Sequence, residues 1–240
     1  MKNSNDIKAM LFDVFGTVVD WRSSIIAEVR SACQHLNPNT EWGEFANRWR
    51  NGYSEGIRKI NQGIKSWSKV DSIHRQSLDQ LLDEYGFGSL EPELREHLNM
   101  AWHRLQPWND SIESLLRLKK KIIIGTLSNG NISLLINMAK NSGLPWDVIF
   151  SSELTDRYKP DVKVYTKAAE LLDLPGKKIM MVAAHPQDLI AAKSAGLKTA
   201  FVSRPKEFGD NTDENNVNSL GVQFDVYVND FVELAQQLGT

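Results

Sequence analysis

The chain has 240 residues, of which 41% are hydrophobic and 24% are charged, and its formal net charge is −2. These values are ordinary for a globular protein, and the near-neutral charge gives no reason to expect nucleic acid or an anionic membrane surface as a partner. Cys33 is the only cysteine, which excludes an intrachain disulfide and favours a reducing compartment, and no apolar run reaches the roughly 18 residues that cross a membrane.

A polar segment at residues 1–8 runs into a short apolar stretch, Ala9–Phe12. The polar segment lacks the apolar centre of a secretion signal, so we expect a cytoplasmic protein. The apolar stretch predicts a buried strand, and Gly16 marks a sharp turn soon after it. Asp13 and Thr17 follow the strand. Because open α/β sheets bind ligands at the carboxyl ends of their strands, Asp13 is a candidate nucleophile.

Residues 21–107 show no apolar run typical of a buried strand. Hydrophobic residues recur there at helical spacing instead, as in Leu78 and Leu82, and this spacing predicts amphipathic helices. We therefore expect a helical cap subdomain at residues 21–107, inserted into an α/β core domain of residues 1–20 and 108–240.

Short apolar runs alternate with helix-length segments in the second half of the chain. The alternation predicts a Rossmann-like, doubly wound parallel sheet with helices on both faces. A stretch rich in Asn and Asp at residues 209–219 predicts a mobile surface loop. The predicted strands cover residues 122–127, 148–151, 179–184, 199–203 and, more weakly, 225–228, and the helices between them cover 131–142, 162–172 and 187–195.

Chemically reactive side chains follow several of these strands. Ser128 and Asn129 come after the second predicted strand, and Lys159 follows the third. His185 and Asp188 follow the fourth. Because the carboxyl ends of parallel strands meet at one edge of a sheet, we expect these side chains to share a cleft with those that follow the first strand.

These residues, in this order and with a helical insertion after the first strand, resemble the haloacid dehalogenase superfamily over nearly the whole chain. Within the superfamily, the chain is most similar to the type II L-2-haloacid dehalogenases. The resemblance implies a homodimeric hydrolase that uses water to remove halide from short 2-haloacids, without a metal or a cofactor. The matching pieces are residues 12–17, Trp49 with Arg50, residues 127–130, residues 158–160 with Tyr165, and Asp188 with Ala191 and Ala192.

The resemblance assigns the chemical steps to individual residues. Asp13 would displace the halide from the substrate carbon and form an ester, which water would then hydrolyse at the aspartyl carbonyl. Thr17 and Ser128 would orient Asp13 and hold the substrate carboxylate. Lys159 would neutralise the paired negative charges of nucleophile and substrate. Asp188 would position or activate the water.

Four further positions would contact the substrate or the departing halide. Arg50 and Asn129 would cradle the halide, and Phe15 and Tyr165 would line the substrate. Phe15 stands where the phosphatases of the superfamily carry a general acid. A halide leaves as a stable anion and needs no proton, so an aromatic residue can replace the acid. A purely structural place in the core is the alternative for Phe15.

The sequence departs from the type II pattern at three positions. Ala183 and His185 fall where a Ser-Ser-Asn stretch is usual, and Gln187 stands where an aromatic residue is frequent. We include His185 among the catalytic candidates as a base or as a hydrogen-bond donor to the ester, with a neutral histidine bonded to a backbone carbonyl as the alternative. The changes leave three other functions open: a magnesium-dependent phosphatase, a hydrolase that opens the azetidine-2-carboxylate ring, and a binding protein without activity.

Overall fold

The core of the fold is a parallel sheet, in which the first strand of the chain lies between strands from its second half. The computed structural model describes residues 6–209 and 222–239, and within them six strands form this sheet. Its order is β5-β4-β1-β6-β7-β8, where β1 is Ala9–Phe12, β4 is Ile123–Ser128, β5 is Val148–Ser151, β6 is Ile179–Ala183, β7 is Lys198–Val202 and β8 is Val226–Val228. Two short strands, β2 (Val19–Asp20) and β3 (Gln106–Pro107), form a separate antiparallel pair.

The position of β1 between β4 and β6 explains its apolar sequence. All four of its residues are fully buried, as expected for a strand with parallel neighbours on both sides and helices on both faces. Met10 and Phe12 belong to one hydrophobic cluster, whereas Ala9 and Leu11 belong to a second. Since alternate side chains point to opposite faces of a sheet, these clusters cover its two faces. The predicted doubly wound α/β fold is confirmed.

Helices cover the sheet and also form a continuous run between β2 and β3. Val19 pairs with Pro107 and Asp20 pairs with Gln106, so the two ends of that run lie side by side. The division at residues 21–107 into cap and core stays a prediction. The run contains α1 (Trp21–Cys33), α2 (Trp42–Asn61), α3 (Val70–Glu84) and α4 (Pro92–Asn99), and the helices after it are α5 (Ser111–Lys119), α6 (Ile132–Ser142), α7 (Val162–Leu171), α8 (Pro186–Ser194) and α9 (Phe231–Gln237).

Local chemistry sets several of the element boundaries. The α6 helix ends at Gly143, whose φ of 71° is the left-handed conformation that glycine adopts readily. Strand β6 ends one residue before its predicted end because the Ala184 N–H donates to the Thr17 hydroxyl at 2.9 Å. The loop predicted at residues 209–219 lies, apart from Gly209, outside the described residues. None of the described helices has the length and apolar character needed to cross a membrane.

Candidate active site

The predicted nucleophile lies at the carboxyl end of β1, in contact with a lysine from the segment between β5 and α7. Lys159 Nζ donates to Asp13 Oδ1 at 2.9 Å and to Asp188 Oδ2 at 2.5 Å. All three side chains are at most 10% exposed. The structure thus brings together three of the predicted catalytic residues, with one buried ammonium group bridging two carboxylates.

The charges in this cluster shift the pKa values of its members. Burial raises the pKa of Asp13, but the positive charges of Lys159 and His185 outweigh it and hold that pKa well below its usual range. Burial lowers the pKa of Lys159, yet Asp13 and Asp188 outweigh it and raise that pKa. For Asp188, burial dominates over the attraction of Lys159, so its pKa is raised. Asp13 is therefore ionised at neutral pH, as a nucleophile must be.

Thr17 and His185 hold the second oxygen of the nucleophile. Thr17 Oγ1 donates to Asp13 Oδ2 at 2.8 Å, and His185 Nδ1 bonds to the same oxygen at 3.0 Å. Thr17 is itself oriented by the Ala184 N–H. Thus a side chain that closely follows β1 and one that closely follows β6 converge on one carboxylate.

His185 has a second acidic partner, Glu207, which sequence reasoning missed. His185 Nε2 bonds to both Glu207 oxygens, at 2.9 and 3.0 Å, and the Glu207 side chain is fully buried. Burial lowers the pKa of His185, but the carboxylates of Glu207 and Asp13 outweigh it and raise that pKa to about 10. His185 therefore bonds two carboxylates, in place of the backbone carbonyl considered as one alternative, and is a cation at neutral pH.

A cavity of about 210 Å³ lies against Asp13. Its wall combines an apolar side with charged groups from both the helical run and the sheet, so it is built for a small molecule with both characters. Five residues of the wall were not among the predicted site residues: Tyr53, Ser54, Ile57, Pro160 and Gln187. The lining residues are Asp13, Phe15, Arg50, Tyr53, Ser54, Ile57, Asn129, Lys159, Pro160, His185, Gln187 and Asp188.

Aromatic rings hold the Arg50 guanidinium in this wall. Its central carbon is 4.5 Å from the ring centroid of Tyr53, 5.5 Å from that of Trp21 and 5.6 Å from that of Phe15. Its Nη1 atom is buried and has no hydrogen-bond partner among the described residues. Phe15 is only 2% exposed and also packs edge-to-face on Trp102, with ring centroids 5.9 Å apart.

Asn129 joins the cavity wall to Lys159. Its Oδ1 accepts from Ser152 Oγ at 2.7 Å and from the Lys159 backbone N–H at 2.8 Å. These bonds fix the orientation of the amide, and they also fix the backbone from which the lysine ammonium reaches Asp13. Asn129 therefore lies at the predicted site, where it helps to position the Lys159 side chain.

Besides Thr17, two predicted site residues lie behind the cavity wall. Ser128 is buried and its hydroxyl accepts from the Gly130 N–H at 3.2 Å. Tyr165 is also buried, and its hydroxyl donates to Asp188 Oδ1 at 2.5 Å. Neither is among the described residues that line the cavity. Tyr165, predicted as a substrate contact, reaches the cavity only through the Asp188 carboxylate.

The described residues contain no group of three or more His, Cys, Asp or Glu side chains placed to hold a metal ion. The cation between Asp13 and Asp188 is the ammonium group of Lys159. Lys159 thus supplies the positive charge between these two carboxylates.

Known proteins are similar to this chain in sequence and in fold. The crystal structure of a defluorinating L-2-haloacid dehalogenase superposes with a TM-score of 0.92 at 40% identity, covering 98% of this chain and 96% of the other. A second L-2-haloacid dehalogenase structure gives a TM-score of 0.91 at 39% identity, covering 97% and 99%. The (S)-2-haloacid dehalogenase of Pseudomonas putida is 27% identical over 208 residues, which are 85% of this chain and 86% of that protein. The family model of the haloacid dehalogenase-like hydrolases matches residues 7–196, and the chain therefore belongs to this family of hydrolases.

Proposed function

We propose that this hydrolase converts short 2-haloacids into 2-hydroxyacids through a covalent ester on Asp13. The observation that carries the proposal is the buried, ionised Asp13, bonded to Lys159 and facing a small cavity whose wall includes the Phe15 ring. The names of the relatives that are 39% and 40% identical, both L-2-haloacid dehalogenases, support the substrate class.

In the first step, an Asp13 oxygen attacks the carbon that carries the halogen. A carbon–oxygen bond forms, the carbon–halogen bond breaks, and the halide leaves with the bonding electrons. A substrate carboxylate near Asp13 adds a second negative charge, and the Lys159 ammonium offsets the resulting repulsion. The cavity of about 210 Å³ is smaller than the roughly 300–1,000 Å³ of pockets for drug-sized ligands, which fits a short acid.

Arg50 and Asn129 are proposed to hold the departing halide. The buried Arg50 Nη1 has no hydrogen-bond partner in the described part of the chain, so an anion in the cavity gains a charged donor there. Phe15 shields that side of the cavity from water, and its ring stands where a phosphatase of this superfamily needs an acid. The leaving halide needs no proton, so this arrangement favours dehalogenation over phosphate ester hydrolysis.

In the second step, water attacks the ester at the aspartyl carbonyl. We assign Asp188 as the group that positions this water and accepts its proton, because it lines the cavity and its pKa is raised. Tyr165 and Lys159 fix both Asp188 oxygens. Hydrolysis releases the 2-hydroxyacid and restores Asp13.

Halide release tests the proposal. We expect the wild type to release halide from at least one of L-2-chloropropionate, bromoacetate and fluoroacetate. Asp13→Asn removes the nucleophile, and its turnover should fall on the order of 10³-fold or more. Asp156→Asn, at an exposed position, is the matched control and should keep wild-type turnover. Full activity of Asp13→Asn, or no halide from any of the three acids, would contradict the proposal.

Three further features stay predictions of the same proposal. Residues 21–107 act as a cap over the cavity, to which they contribute Arg50 and Tyr53. The protein forms a homodimer, which sedimentation equilibrium would test. It works in the cytoplasm, which fractionation of the source cells would test.

A further inference from the structure

The two carboxylate oxygens of Asp13 have different environments. Oδ1 accepts one hydrogen bond, from Lys159, whereas Oδ2 accepts two, from Thr17 and His185. A carboxylate oxygen has two lone pairs in its plane, so both lone pairs of Oδ2 are engaged and one lone pair of Oδ1 is free. Displacement of a halide needs a free lone pair. Oδ1 is therefore the attacking atom, and Oδ2 becomes the carbonyl oxygen of the ester.

We infer that Thr17 and His185 form an oxyanion site around Oδ2 for ester hydrolysis, and that Glu207 is the positioning residue that keeps His185 cationic. The inference rests on the proposed function. Both donors already lie 2.8 and 3.0 Å from Oδ2, within the range of about 2.7–3.1 Å that oxyanion donors keep. Preorganised donors of this kind stabilise charge without reorganising during the reaction.

Hydrolysis of the ester needs only water, Asp13 and Asp188. Water adds to Asp13 Cγ while one of its protons passes to Asp188, and the negative charge develops on Oδ2. When the intermediate collapses, the bond between Cγ and Oδ1 breaks. The leaving alkoxide takes the proton from Asp188 and departs as the 2-hydroxyacid. The carboxyl proton left on Asp13 goes to solvent and balances the halide released earlier.

Glu207 has a specific task in this scheme. Esterification removes the negative charge of Asp13, which is one of the two charges that keep His185 protonated. The second charge is Glu207, which bonds His185 through both oxygens and remains throughout the cycle. Lys159, Asp188 and Arg50 are further charged groups, and they line the same cavity as His185.

The surroundings of Glu207 are built to hold it beside the histidine. Trp21 Nε1 donates to Glu207 Oε1 at 3.1 Å. Gly16 has a φ of 83°, and a Cβ atom at that position would lie 2.0 Å from the same oxygen. A glycine is therefore needed in the turn after β1 for the carboxylate to reach His185.

Rapid-quench kinetics on bromoacetate separates the two chemical steps. Halide release reports ester formation, and the mass of the intact protein reports the ester. We expect Glu207→Gln to form ester at a rate within about threefold of wild type but to hydrolyse it about 10- to 100-fold more slowly, so that the ester accumulates. Glu170→Gln changes an exposed glutamate in the same way and should match the wild type in both steps.

The pH dependence of hydrolysis distinguishes a cationic donor from a general base. In the free wild-type enzyme two carboxylates raise the pKa of His185 to about 10, and in the ester only Glu207 still raises it, so hydrolysis should decline as the pH rises through a pKa below that value. In Glu207→Gln the decline should move to lower pH. In His185→Gln, whose amide donor does not titrate, this decline should be absent. If Glu207→Gln does not fold, the pH dependence of His185→Gln still tests the inference.

Two results would overturn the inference. One is an ester hydrolysis rate in Glu207→Gln equal to that of the wild type. The other is a rate in that variant that rises with pH through the range in which the histidine loses its proton, which would make His185 a base. If the wild type releases no halide, the proposed function itself fails, and the inference fails with it.

Discussion

At the scale of single residues, the environment of Arg50 shows why its planar cation suits this site. Three aromatic rings lie 4.5 to 5.6 Å from its central carbon, and they hold the guanidinium by cation–π contacts. A guanidinium can stack on rings and still donate in its plane, whereas an ammonium is a compact, strongly hydrated charge. The rings therefore fix the direction in which Nη1 can meet an anion.

We expect Arg50→Lys to keep the charge but lose the geometry. Halide release should fall about 10- to 100-fold, since loss of a hydrogen bond from a charged donor typically costs about 1.5–3 kcal/mol. Arg50→Met should lose at least as much. Steady-state rates on bromoacetate, with circular dichroism to check folding, would measure both. Arg58→Lys, on an exposed part of the same helix, is the control. Wild-type rates in Arg50→Lys would show that charge alone is sufficient.

The predicted residues that the structure brings together share one feature in the sequence. Asp13, Lys159 and Asp188 follow strands whose apolar runs are easy to detect, so topology alone predicts that they meet. Tyr53 could have been found from helical spacing, because it stands three residues after Arg50. Glu207 carried no such signal. It lies five residues beyond the end of β7 in an irregular segment, and only the tertiary fold brings it to the histidine.

At the scale of elements, the carboxyl end of α2 is hydrogen-bonded to the backbone beside Lys159. Asn61 Nδ2 donates to the Tyr158 carbonyl at 3.2 Å, and the Tyr158 N–H donates to Asn61 Oδ1 at 3.3 Å. The Tyr158 hydroxyl also donates to the Ser68 carbonyl. The helical run thereby contacts the segment that places Lys159.

Removal of this contact should affect both stability and catalysis. Asn61→Ala leaves two backbone groups of Tyr158 without their partner, so the free energy of unfolding should fall by about 1–2 kcal/mol. Turnover should fall about three- to tenfold, because Lys159 is less well positioned. Urea denaturation and halide release would measure the two effects. Asn39→Ala, in an exposed turn, should change neither. Loss of stability without loss of turnover would assign Asn61 a purely structural role.

Most strands and helices could be predicted because each buries an apolar face, which appears in the sequence as an apolar run or as helical spacing. Strands β2 and β3 could not be predicted in this way. Each has two residues, too few for a periodic pattern. Their pairing joins Val19 to Pro107, positions that no local signal connects. The weakly predicted strand at residues 225–228 does form, as β8, because a parallel neighbour, β7, satisfies its backbone.

At the scale of the whole molecule, the cluster of Asp13, His185 and Glu207 makes the free energy of unfolding depend on pH. Folding brings Asp13, Glu207 and His185 together, and the two carboxylates stabilise the protonated ring. In the unfolded chain this proximity is lost and the ring titrates normally. The same contacts that organise the site for chemistry thus contribute to the free energy of unfolding, and the contribution depends on the protonation of one histidine.

We expect this contribution to disappear as the pH rises from neutral to alkaline. The pKa of His185 is about 10 in the folded protein and 6.5 in its ordinary state, so between these values the folded protein binds more protons than the unfolded chain. The free energy of unfolding therefore decreases with rising pH across this window, whereas below pH 6.5 the contribution is fully present. His185→Gln has no such proton to lose. Urea denaturation at several pH values between 6 and 10 should show the wild type losing a few kcal/mol more than His185→Gln. Parallel pH dependence in the two proteins would mean that His185 is not held as a cation in the folded state.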